Sequence, residues 1–343
     1  MDSDALDHVS QWLTAHVPGA TGRVTATKFD VGQSNPTFRL SWDGGACVLR
    51  RKPPGQLLKS AHAVDREFRV QRALAGTEVP VPKMLAYCDD KGVIGSEFYV
   101  MEEVAGEGFE DPRLPDKSPG DRAAMFADMA RVLAAIHEVD LTATGLQDYG
   151  PEGDYIARQL ARWTKQYRAT ETEAVADMDA LIAWLDANAP AADGQRTLVH
   201  GDYRLDNLLF APGGTGIVAV LDWELSTIGH PFADLAAVIM QWQMPPGAEG
   251  RGLSGVDRAA LGLPCDAEFI DTYCAHRGLG PIPEFNAYLA FAFFRMAAIL
   301  QGVKKRALDG NASNPEQGLR MGAYVPEFAR AGLRAAQGDG IGA

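Results

Sequence analysis

The sequence predicts an α+β fold with two lobes, a small β-rich one followed by a larger, mainly helical one. Three observations support this prediction. Short runs with strand character fill the first third of the chain, and longer runs with helical spacing fill most of the remainder. At 343 residues the chain is also too long for one small hydrophobic core. We place the boundary near residue 105, which gives lobes of residues 1–105 and 106–343.

The first lobe contains five predicted strands and one main helix. The strands are expected over residues 23–30, 36–42, 46–51, 83–88 and 97–104. The tripeptide DGG at residues 43–45 is a strong hairpin signal between the second and third strands. Apolar residues at helical spacing predict a helix over residues 60–74, which a Pro-containing segment at 79–82 separates from the next strand. Residues 5–16 have the pattern of a short amphipathic helix.

The second lobe is predicted to be helical apart from one strand-rich island. Helices are expected over residues 119–138, 153–170, 174–188, 231–243, 266–277, 284–308 and 315–336. A Gly- and Pro-rich crossing at residues 106–120 leads into them. The island, residues 197–223, interrupts the helices and contains three short apolar strands, at residues 198–199, 208–210 and 218–222. It is the segment whose polar residues have the clearest chemistry.

The charge of the chain bounds the partners that it can bind. The formal net charge is −13, which argues against nucleic acid, because nucleic-acid binding needs clustered Lys and Arg against phosphate. An acidic protein can still bind ATP, since Mg²⁺ and a few local donors neutralise the phosphates.

Cysteine spacing and hydropathy indicate the compartment. The four cysteines lack C-x-x-C spacing, which excludes a disulfide framework or a zinc ribbon and suits a reducing compartment. No apolar stretch is expected to approach the length needed to cross a bilayer, and the acidic start at residues 1–4 is unlike a signal peptide. We therefore expect a complete, cytoplasmic chain that contacts no membrane.

Polar residues follow two of the apolar runs of the island. The segment HGDYRLDN at residues 200–207 comes directly after Leu198 and Val199. A second apolar run at residues 208–210 follows Asn207 directly, and a third run ends at Asp222, fifteen residues after Asn207. We expect the two strands to deliver these polar groups to one rim.

Residues of these types suit phosphoryl transfer. That reaction needs an acceptor hydroxyl oriented by a carboxylate, and oxygen ligands for the metal that bridges the phosphates. Asp202 fits the first role, and Asn207 with Asp222 fits the second, because Mg²⁺ prefers carboxylate and other oxygen ligands. The island therefore predicts a magnesium-dependent kinase site.

The segment at residues 200–207 resembles the catalytic loop H-x-D-x-x-x-x-N of the kinase superfamily, with Asp222 in the place of the D-F-G aspartate. The sequence of this segment, together with LDWE at 221–224 and GHPFADLA at 229–236, resembles those of the aminoglycoside phosphotransferases and choline-kinase-like proteins. The resemblance implies a two-lobed protein-kinase-like fold.

Three further sequence segments resemble a particular branch of that family. They are VLRRKPPG at 48–55, HAVDRE at 62–67 and FYVMEEVAG at 98–106. They are similar to kinase-like domains that occur alone in bacteria and fused to acyl-CoA dehydrogenases in animals. The resemblance covers roughly residues 20–330.

The resemblance implies roles for residues of the island. Asp202 corresponds to the catalytic base, and Asn207 and Asp222 correspond to the magnesium ligands. Arg204 stands two residues after the base, where protein kinases place a lysine that touches the transferred phosphate. Asp234 corresponds to a buried aspartate that holds the catalytic loop by hydrogen bonds.

The resemblance also implies an ATP site in the first lobe. Glu67 matches the helix glutamate that pairs with the phosphate-binding cation of the third strand. That cation is usually lysine, whereas the aligned residue is Arg50, with Arg51 and Lys52 adjacent. Arginine keeps the charge and pairs with carboxylate or phosphate in a forked geometry, so binding should survive.

Two backbone segments complete the implied ATP site. Residues 100–104 resemble the hinge of the kinases. The resemblance implies that the backbone groups of Glu102 and Val104 would contact adenine. The glycine-rich loop is reduced to VGQSN, with one glycine instead of three. We expect Ser34, Asn35 and the backbone amides to cover the phosphates.

Two other classes of function stay open as alternatives. A metal-dependent hydrolase could use His200, Asp202, His230 and Asp234, but it leaves Asn207 and the β-rich lobe unexplained. A non-catalytic pseudokinase typically lacks the base or a metal ligand, and this chain retains all three.

Two residues, His200 of the island and Glu224 directly after it, could have a structural role instead of a catalytic or metal-binding one. His200 is expected to hydrogen-bond the loop rather than to act as an acid or base. Glu224 could support a second metal ion or could simply be exposed.

The acceptor is predicted to be a small molecule with a hydroxyl group. Residues 277–337 contain eight Lys and Arg against four acidic residues, and Arg158, Arg162, Lys165 and Arg168 lie near one face of a predicted helix. This surplus suits an anionic hydroxy acid or hydroxyacyl-CoA thioester better than a polycationic aminoglycoside. The aminoglycoside stays an alternative, as does the interpretation of these cations as solvated helix faces.

Overall fold

The computed structural model describes residues 3–29, 35–53, 63–246, 251–312 and 314–339. They divide into two compact units. The first unit comprises the chain up to Gly108, together with Thr142–Leu146 and Asn207–Ser226. The second comprises Phe109–Leu141, Gln147–Asp206 and the chain from Thr227 onwards. Each unit is thus discontinuous in sequence, and the single boundary near residue 105 stays a prediction.

The predicted strands and helices occur in the predicted order among the described residues, and the short elements α3, α8 and β9 were not predicted. The strands are β1 (Thr25–Lys28), β2 (Thr37–Trp42), β3 (Gly45–Arg51), β4 (Met84–Cys88), β5 (Phe98–Met101), β6 (Thr197–Val199), β7 (Leu208–Phe210), β8 (Ile217–Val220) and β9 (Thr227–Gly229). The helices are α1 (Ser3–His16), α2 (Val64–Ala73), α3 (Lys91–Ile94), α4 (Pro119–His137), α5 (Tyr155–Thr170), α6 (Ala176–Asn188), α7 (Pro231–Trp242), α8 (Arg258–Leu261), α9 (Asp266–His276), α10 (Phe285–Leu308), α11 (Pro315–Gly322) and α12 (Val325–Ala336). Short 3₁₀ helices occupy Leu205–Asn207 and Trp223–Leu225.

The first unit is built on an antiparallel five-stranded sheet in the order β1-β2-β3-β5-β4. The predicted hairpin is confirmed, because Trp42 pairs with Gly45 across the turn. Gly44 has φ +91° there, a conformation that glycine adopts without a steric penalty.

Alternation along the strands separates the two faces of this sheet. On one face Leu49 packs with Val9 and Leu13 of α1. On the other, Val48 packs with Val64 of α2. Because successive strand side chains point to opposite faces, the adjacent residues 48 and 49 supply two separate cores.

The β7–β8 hairpin belongs to the first unit although it lies far along the chain. The backbone N–H of Val220 donates to the carbonyl of Pro80 at 2.8 Å. Glu107 and Phe210 exchange two backbone hydrogen bonds, of 2.8 and 3.0 Å. At Gly106 an added Cβ would lie 2.8 Å from the Cβ of Leu209, so the close approach needs glycine.

The second unit is mainly helical, with the short β6–β9 pair as its sheet. Its central helix α10 contacts α5, α6, α7, α11 and α12. The prediction that no stretch would have the length and hydropathy of a membrane span was wrong, since α10 has 24 residues and a mean hydropathy of 1.2 over one window. Of that window, 72% is buried within the protein, as expected for a core helix that needs apolar residues on most of its circumference.

Several boundaries differ from the predicted ones. The helix predicted over 315–336 is two helices, and Pro326 lies in the first turn of the second, where its missing N–H costs nothing. The strand predicted over 97–104 ends at Met101. Helix α2 begins at Val64, and the predicted start at residues 60–62 lies outside the described residues.

Candidate active site

Asp222 adopts a conformation that is uncommon for residues other than glycine. It follows β8 and precedes the 3₁₀ helix Trp223–Leu225, with φ 63° and ψ 60°. Aspartate tolerates this left-handed region better than most residues, at a modest energetic cost. Such local strain is concentrated at functional sites, which makes Asp222 a candidate on structural grounds as well.

Three carboxylates of the first unit converge. One oxygen each of Glu67, Asp222 and Glu224 lies within 4.8 Å of the others. Glu67 is fully buried, whereas Asp222 and Glu224 are partly exposed. Like charges this close repel one another, so the cluster requires positive charge nearby.

Arg50 supplies that positive charge. Its Nη2 lies 2.6 Å from Oδ1 of Asp222, and its Nε lies 2.9 Å from Oε2 of Glu67. Burial alone would lower the pKa of Arg50, but Glu67, Tyr99 and Asp222 outweigh it and raise the pKa. Arg50 is therefore a permanent cation bound to two of the predicted site residues.

Glu67 has further partners that fix its orientation. The Tyr99 hydroxyl donates to it at 2.8 Å and the Asn35 side-chain amide at 2.9 Å. Burial raises the pKa of Glu67, while Arg50 lowers it. Asn35 also donates to Glu224 at 3.3 Å, so it links the buried and the partly exposed carboxylates.

The neighbouring cations contact other groups. Nζ of Lys52 lies 2.5 Å from Glu97, and Arg51 donates to the hydroxyl of Ser96 at 3.0 Å. Of the three candidate cations, Arg50 is the one in contact with Glu67.

Asn207 lies at the same end of the β7–β8 hairpin as Asp222. Its backbone carbonyl accepts a hydrogen bond from the N–H of Leu221 at 2.8 Å. Leu208 pairs with Val220, so the residues before one strand and after the other are held together. The structure thus brings Asn207 and Asp222 to one end of this hairpin, while Asp202 belongs to the second unit.

The chemistry of these donors fits Mg²⁺. Asp222 and Glu224 offer carboxylate oxygens and Asn207 an amide oxygen, which are the hard ligands that this ion takes. Glu67 is the poorest candidate ligand, because Arg50, Tyr99 and Asn35 already bind it.

The remaining predicted nucleotide contacts are backbone segments of the first unit. The backbone N–H of Glu102 donates to the carbonyl of Lys83 at 2.9 Å, which leaves the carbonyl of Glu102 as its group for a nucleotide. Val104 lies outside the strands and helices and is half-buried. Ser34 and the rest of the loop at 30–34 lie outside the described residues.

In the second unit, Asp234 anchors the loop that follows β6. Its carboxylate accepts the backbone N–H groups of His200 at 2.7 Å and Gly201 at 2.9 Å. Burial tends to raise the pKa of Asp234, but His137 and the His200 N–H lower it overall. An ionised Asp234 therefore holds the loop, as the resemblance implies.

His200 is a buried structural residue in this loop. Its Nδ1 accepts the backbone N–H of Asp202 at 3.3 Å, and its exposed fraction is 0%. This contact matches the expectation that His200 hydrogen-bonds the loop.

The partly buried charged side chains of the same loop alternate in sign and lie close to one another. Nε of Arg204 lies 3.0 Å from Oδ2 of Asp202 and 3.4 Å from Oδ1 of Asp206. Nη1 of Arg251 lies 2.8 Å from Oδ2 of Asp206. Burial raises the pKa of Asp206 to about 6, although Arg204 lowers it.

Sequence reasoning missed Asp206 and Arg251. Asp206 occupies a variable position inside the motif, where its alternation of charge with Arg204 was the available signal. Arg251 lies 45 residues further along the chain, outside every predicted element, so nothing in the sequence connects it to the loop.

The small antiparallel sheet and the helical unit with its anchored loop place the chain among proteins with a kinase-like fold. Within that class, the chain belongs to the phosphotransferase enzyme family, whose model matches residues 25–284. The family is one of small-molecule kinases, as the motifs predict.

Curated relatives extend well beyond this chain. This chain is 49% identical over 313 residues to acyl-CoA dehydrogenase family member 10 of Mus musculus. The matched region covers 91% of this chain and 29% of the relative. The chain is 43% identical over 333 residues to acyl-CoA dehydrogenase family member 11 of Rattus norvegicus, covering 94% and 42%. The chain thus spans less than half the length of these relatives.

Solved structures confirm the predicted fold. A candidate aminoglycoside phosphotransferase from Ralstonia eutropha JMP134 has a TM-score of 0.89 at 46% identity, covering 97% of this chain and 98% of that one. Choline kinase from Cryptosporidium parvum Iowa II has a TM-score of 0.64 at 12% identity, covering 97% of both chains. A mutant of the aminoglycoside phosphotransferase APH(4)-Ia, in complex with AMP-PNP and hygromycin B, has a TM-score of 0.61 at 19% identity and covers 95% and 98%.

Proposed function

We propose that the protein is a magnesium-dependent ATP phosphotransferase that acts on a hydroxyl group of a small molecule. The observation that carries this proposal is the carboxylate cluster of Glu67, Asp222 and Glu224, with Arg50 bound to two of its members. A metal ligand set beside a fixed cation is the arrangement that binding of a charged triphosphate needs. The nucleotide analogue bound to the related APH(4)-Ia supports ATP as the donor.

The residues of the chain divide the work of the reaction. When bound, Mg-ATP supplies the phosphoryl group and the metal charge that offsets the phosphate oxygens. Asn207, Asp222 and Glu224 would hold the metal. Arg50, whose orientation Glu67 fixes, would donate N–H groups to a phosphate oxygen. Asp202 orients the acceptor hydroxyl and accepts its proton.

For the acceptor we propose an anionic hydroxyacyl compound, a hydroxy acid or a hydroxyacyl-CoA thioester. The printed names of the relatives, which are acyl-CoA dehydrogenase family members, support an acyl-CoA context. The distribution of cations in the second unit supports an anion independently.

Three arginines of α5 and α10 lie near one phenol ring. Tyr155 is buried in the first turn of α5, and burial raises its pKa while Arg295, Arg158 and Arg162 act in the opposite direction. The guanidinium of Arg158 lies 5.9 Å from the ring centre. Arg295 is half-buried on α10, and among the described residues no acidic side chain pairs with it. An uncompensated, partly desolvated cation favours an anionic ligand.

Two of the four cations that the sequence predicts on one face of α5 already have partners in the structure. Arg158 donates to the backbone carbonyl of Glu152 at 2.8 Å, so it stabilises the start of the helix. Arg168 pairs with Glu171 and Asp179. Arg162 and Arg295 are therefore the better candidates for contact with an anionic acceptor.

A phosphate-transfer screen tests the proposal. Purified protein is given radiolabelled ATP, with and without Mg²⁺, and four acceptor classes: hydroxyacyl-CoA, hydroxy acids, choline-like alcohols and aminoglycosides. The Asp202→Asn protein, purified identically, controls for contaminating kinases. We expect magnesium-dependent transfer to a hydroxyacyl compound.

The other results discriminate between the alternatives. Transfer to aminoglycosides alone would restore the antibiotic-kinase hypothesis. Nucleotide binding without transfer, and without slow ATP hydrolysis, would indicate a non-catalytic nucleotide-binding module.

A further inference from the structure

The charged side chains at the candidate catalytic loop form one connected series. Asp202, Arg204, Asp206 and Arg251 alternate in charge, with successive nitrogen–oxygen distances of 3.0, 3.4 and 2.8 Å. The first three come from the loop itself. Arg251 comes from a separate segment that follows α7, and it is bound to the end of the series opposite Asp202.

Arg204 is shared between two carboxylates. The same Nε atom approaches both Asp202 and Asp206, and it lies closer to Asp202. Its orientation therefore depends on how strongly each carboxylate attracts it. Arg251 binds Oδ2 of Asp206 and neutralises part of that negative charge, which weakens the attraction of Asp206 for Arg204.

The segment bearing Arg251 is attached to the end of α7. The N–H of Leu253 donates to the carbonyl of Trp242, the last residue of that helix, at 2.7 Å. Arg251 itself forms an isolated β-bridge with Pro246. The first turn of α7 contains Asp234, which holds the backbone at the start of the loop. The two ends of one helix thus fix the two ends of the loop.

A contribution to global stability does not account for this arrangement. The side chain of Arg251 is 41% exposed and that of Asp206 is 14% exposed. Ion pairs with an exposed partner contribute roughly 0–1 kcal/mol to folding. The pair is therefore too weak to hold the unit together, but strong enough to choose between two orientations of a neighbouring side chain.

We propose that Arg251 is a positioning residue for phosphoryl transfer, which through Asp206 sets the orientation of Arg204 against Asp202. This proposal rests on the proposed kinase function. Without Arg251, Asp206 binds Arg204 more tightly and draws it from its position beside the base. Displacements of about 1 Å at a reacting centre lower turnover by as much as about a hundredfold.

Kinetics of Arg251→Ala test the proposal. We expect kcat to fall at least about tenfold, with the KM for ATP within about twofold of wild type and little change in Tm. Arg251→Lys, which keeps the charge on Asp206, should restore most of kcat. Asp206→Asn removes the link, so adding Arg251→Ala to it should lower kcat no further.

Arg131→Ala is a matched control. Arg131 pairs with Asp128 at 2.6 Å on α4, with exposures of 39% and 16% that resemble those of Arg251 and Asp206. It lies outside the series, and we expect near-wild-type kcat. Equal losses in Arg131→Ala and Arg251→Ala would overturn a specific role for Arg251.

A second readout separates this proposal from the proposed function. The Nε–H resonance of Arg204, assigned by its disappearance in Arg204→Lys, should shift in Arg251→Ala and return in Arg251→Lys. An unchanged resonance overturns the positioning role, whatever the kinetics. If the wild-type protein transfers no phosphate, the kinase function fails, while the resonance still decides whether Arg251 orients Arg204.

Discussion

At the scale of single residues, the role of Asp202 is open to a direct test. Asp202→Asn should lower turnover by about two or more orders of magnitude, because the amide cannot accept the proton of the acceptor hydroxyl. Nucleotide affinity, measured by calorimetry, should stay near wild type, because the residues proposed to bind the nucleotide do not include Asp202. Wild-type turnover in this variant would remove Asp202 from the catalytic role.

Asp222 should behave in the opposite way. Asp222→Ala removes a candidate metal ligand and also a partner of Arg50 at 2.6 Å. We expect the magnesium-dependent part of ATP binding to disappear, with any magnesium-independent part remaining. Calorimetry with and without Mg²⁺ separates the two, and an unchanged magnesium effect would contradict the metal assignment.

The Arg50–Glu67 pair makes a prediction about stability. Arg50→Ala leaves a buried carboxylate without its cation, which should lower the free energy of unfolding by about 3–5 kcal/mol. Arg50→Ala combined with Glu67→Gln should be less destabilised than Arg50→Ala alone, because no buried charge remains. Denaturant unfolding of both variants provides the measurement.

The same pair sets a pH dependence. Burial raises the pKa of Glu67 and Arg50 lowers it, so removal of Arg50 lets that pKa rise further. An acid whose pKa is higher in the folded state destabilises the fold when it ionises, and this cost disappears as the pH falls below the folded pKa. The loss of stability in Arg50→Ala should therefore be smaller at pH 5 than at pH 8. A loss that grows towards acidic pH would show that Glu67 is not its source.

At the scale of elements, the β6–β9 pair supports the loop that bears Asp202. A Cβ added at Gly229 would lie 2.9 Å from Val199 and 3.0 Å from the ring of Tyr155. Gly229→Ala should push the strands apart and lower kcat more than it weakens nucleotide binding. Gly44→Ala is the control: it has an unfavourable φ of +91° but no atom within 4 Å, so it should cost stability without affecting kcat.

Elements and short-range motifs were accessible from sequence because their signals are local. The HGDYRLDN segment contains both Asp202 and Asn207, and β8 delivers Asp222 to the same end of the β7–β8 hairpin as Asn207. Helix periodicity found the longer helices of the second unit, but it missed the four-residue helix α8. It also missed the interruption before Pro326, because a helical pattern continues on both sides of it.

Long-range pairings were not accessible, since no local pattern records them. The resemblance aligned Arg50 with the cation that pairs with Glu67, but no local pattern distinguishes it from Lys52. Nor does any local pattern show that Asn35 links Glu67 with Glu224. The contact between Arg251 and Asp206 is of the same kind. These side chains meet only once the strands and helices have packed.

At the scale of the whole molecule, the net charge is negative but one region of the second unit contains clustered positive charge. The chain has a net charge of −13, yet Arg295 lies half-buried near Arg158 and Arg162. Arg295→Gln should raise the acceptor KM about tenfold or more while the ATP KM stays unchanged, and the effect should shrink as salt increases. Arg330→Ala, which removes an exposed cation of α12, is the control. An acceptor KM that is indifferent to Arg295 would leave the basic helices as solvated surface.

The discontinuity of the first unit has a consequence for how the protein is made. When the ribosome has synthesised the first 108 residues, all five strands of the sheet exist, but the partners of Pro80 and Glu107 do not. Those partners, Val220 and Phe210, emerge only after about a hundred further residues, roughly ten seconds later at ordinary translation rates. Until then, the backbone groups of Pro80 and Glu107 that will bond to this hairpin are bonded to water instead. The order of synthesis therefore makes the β7–β8 hairpin the last piece of the first unit to arrive, and the metal-binding candidates arrive with it.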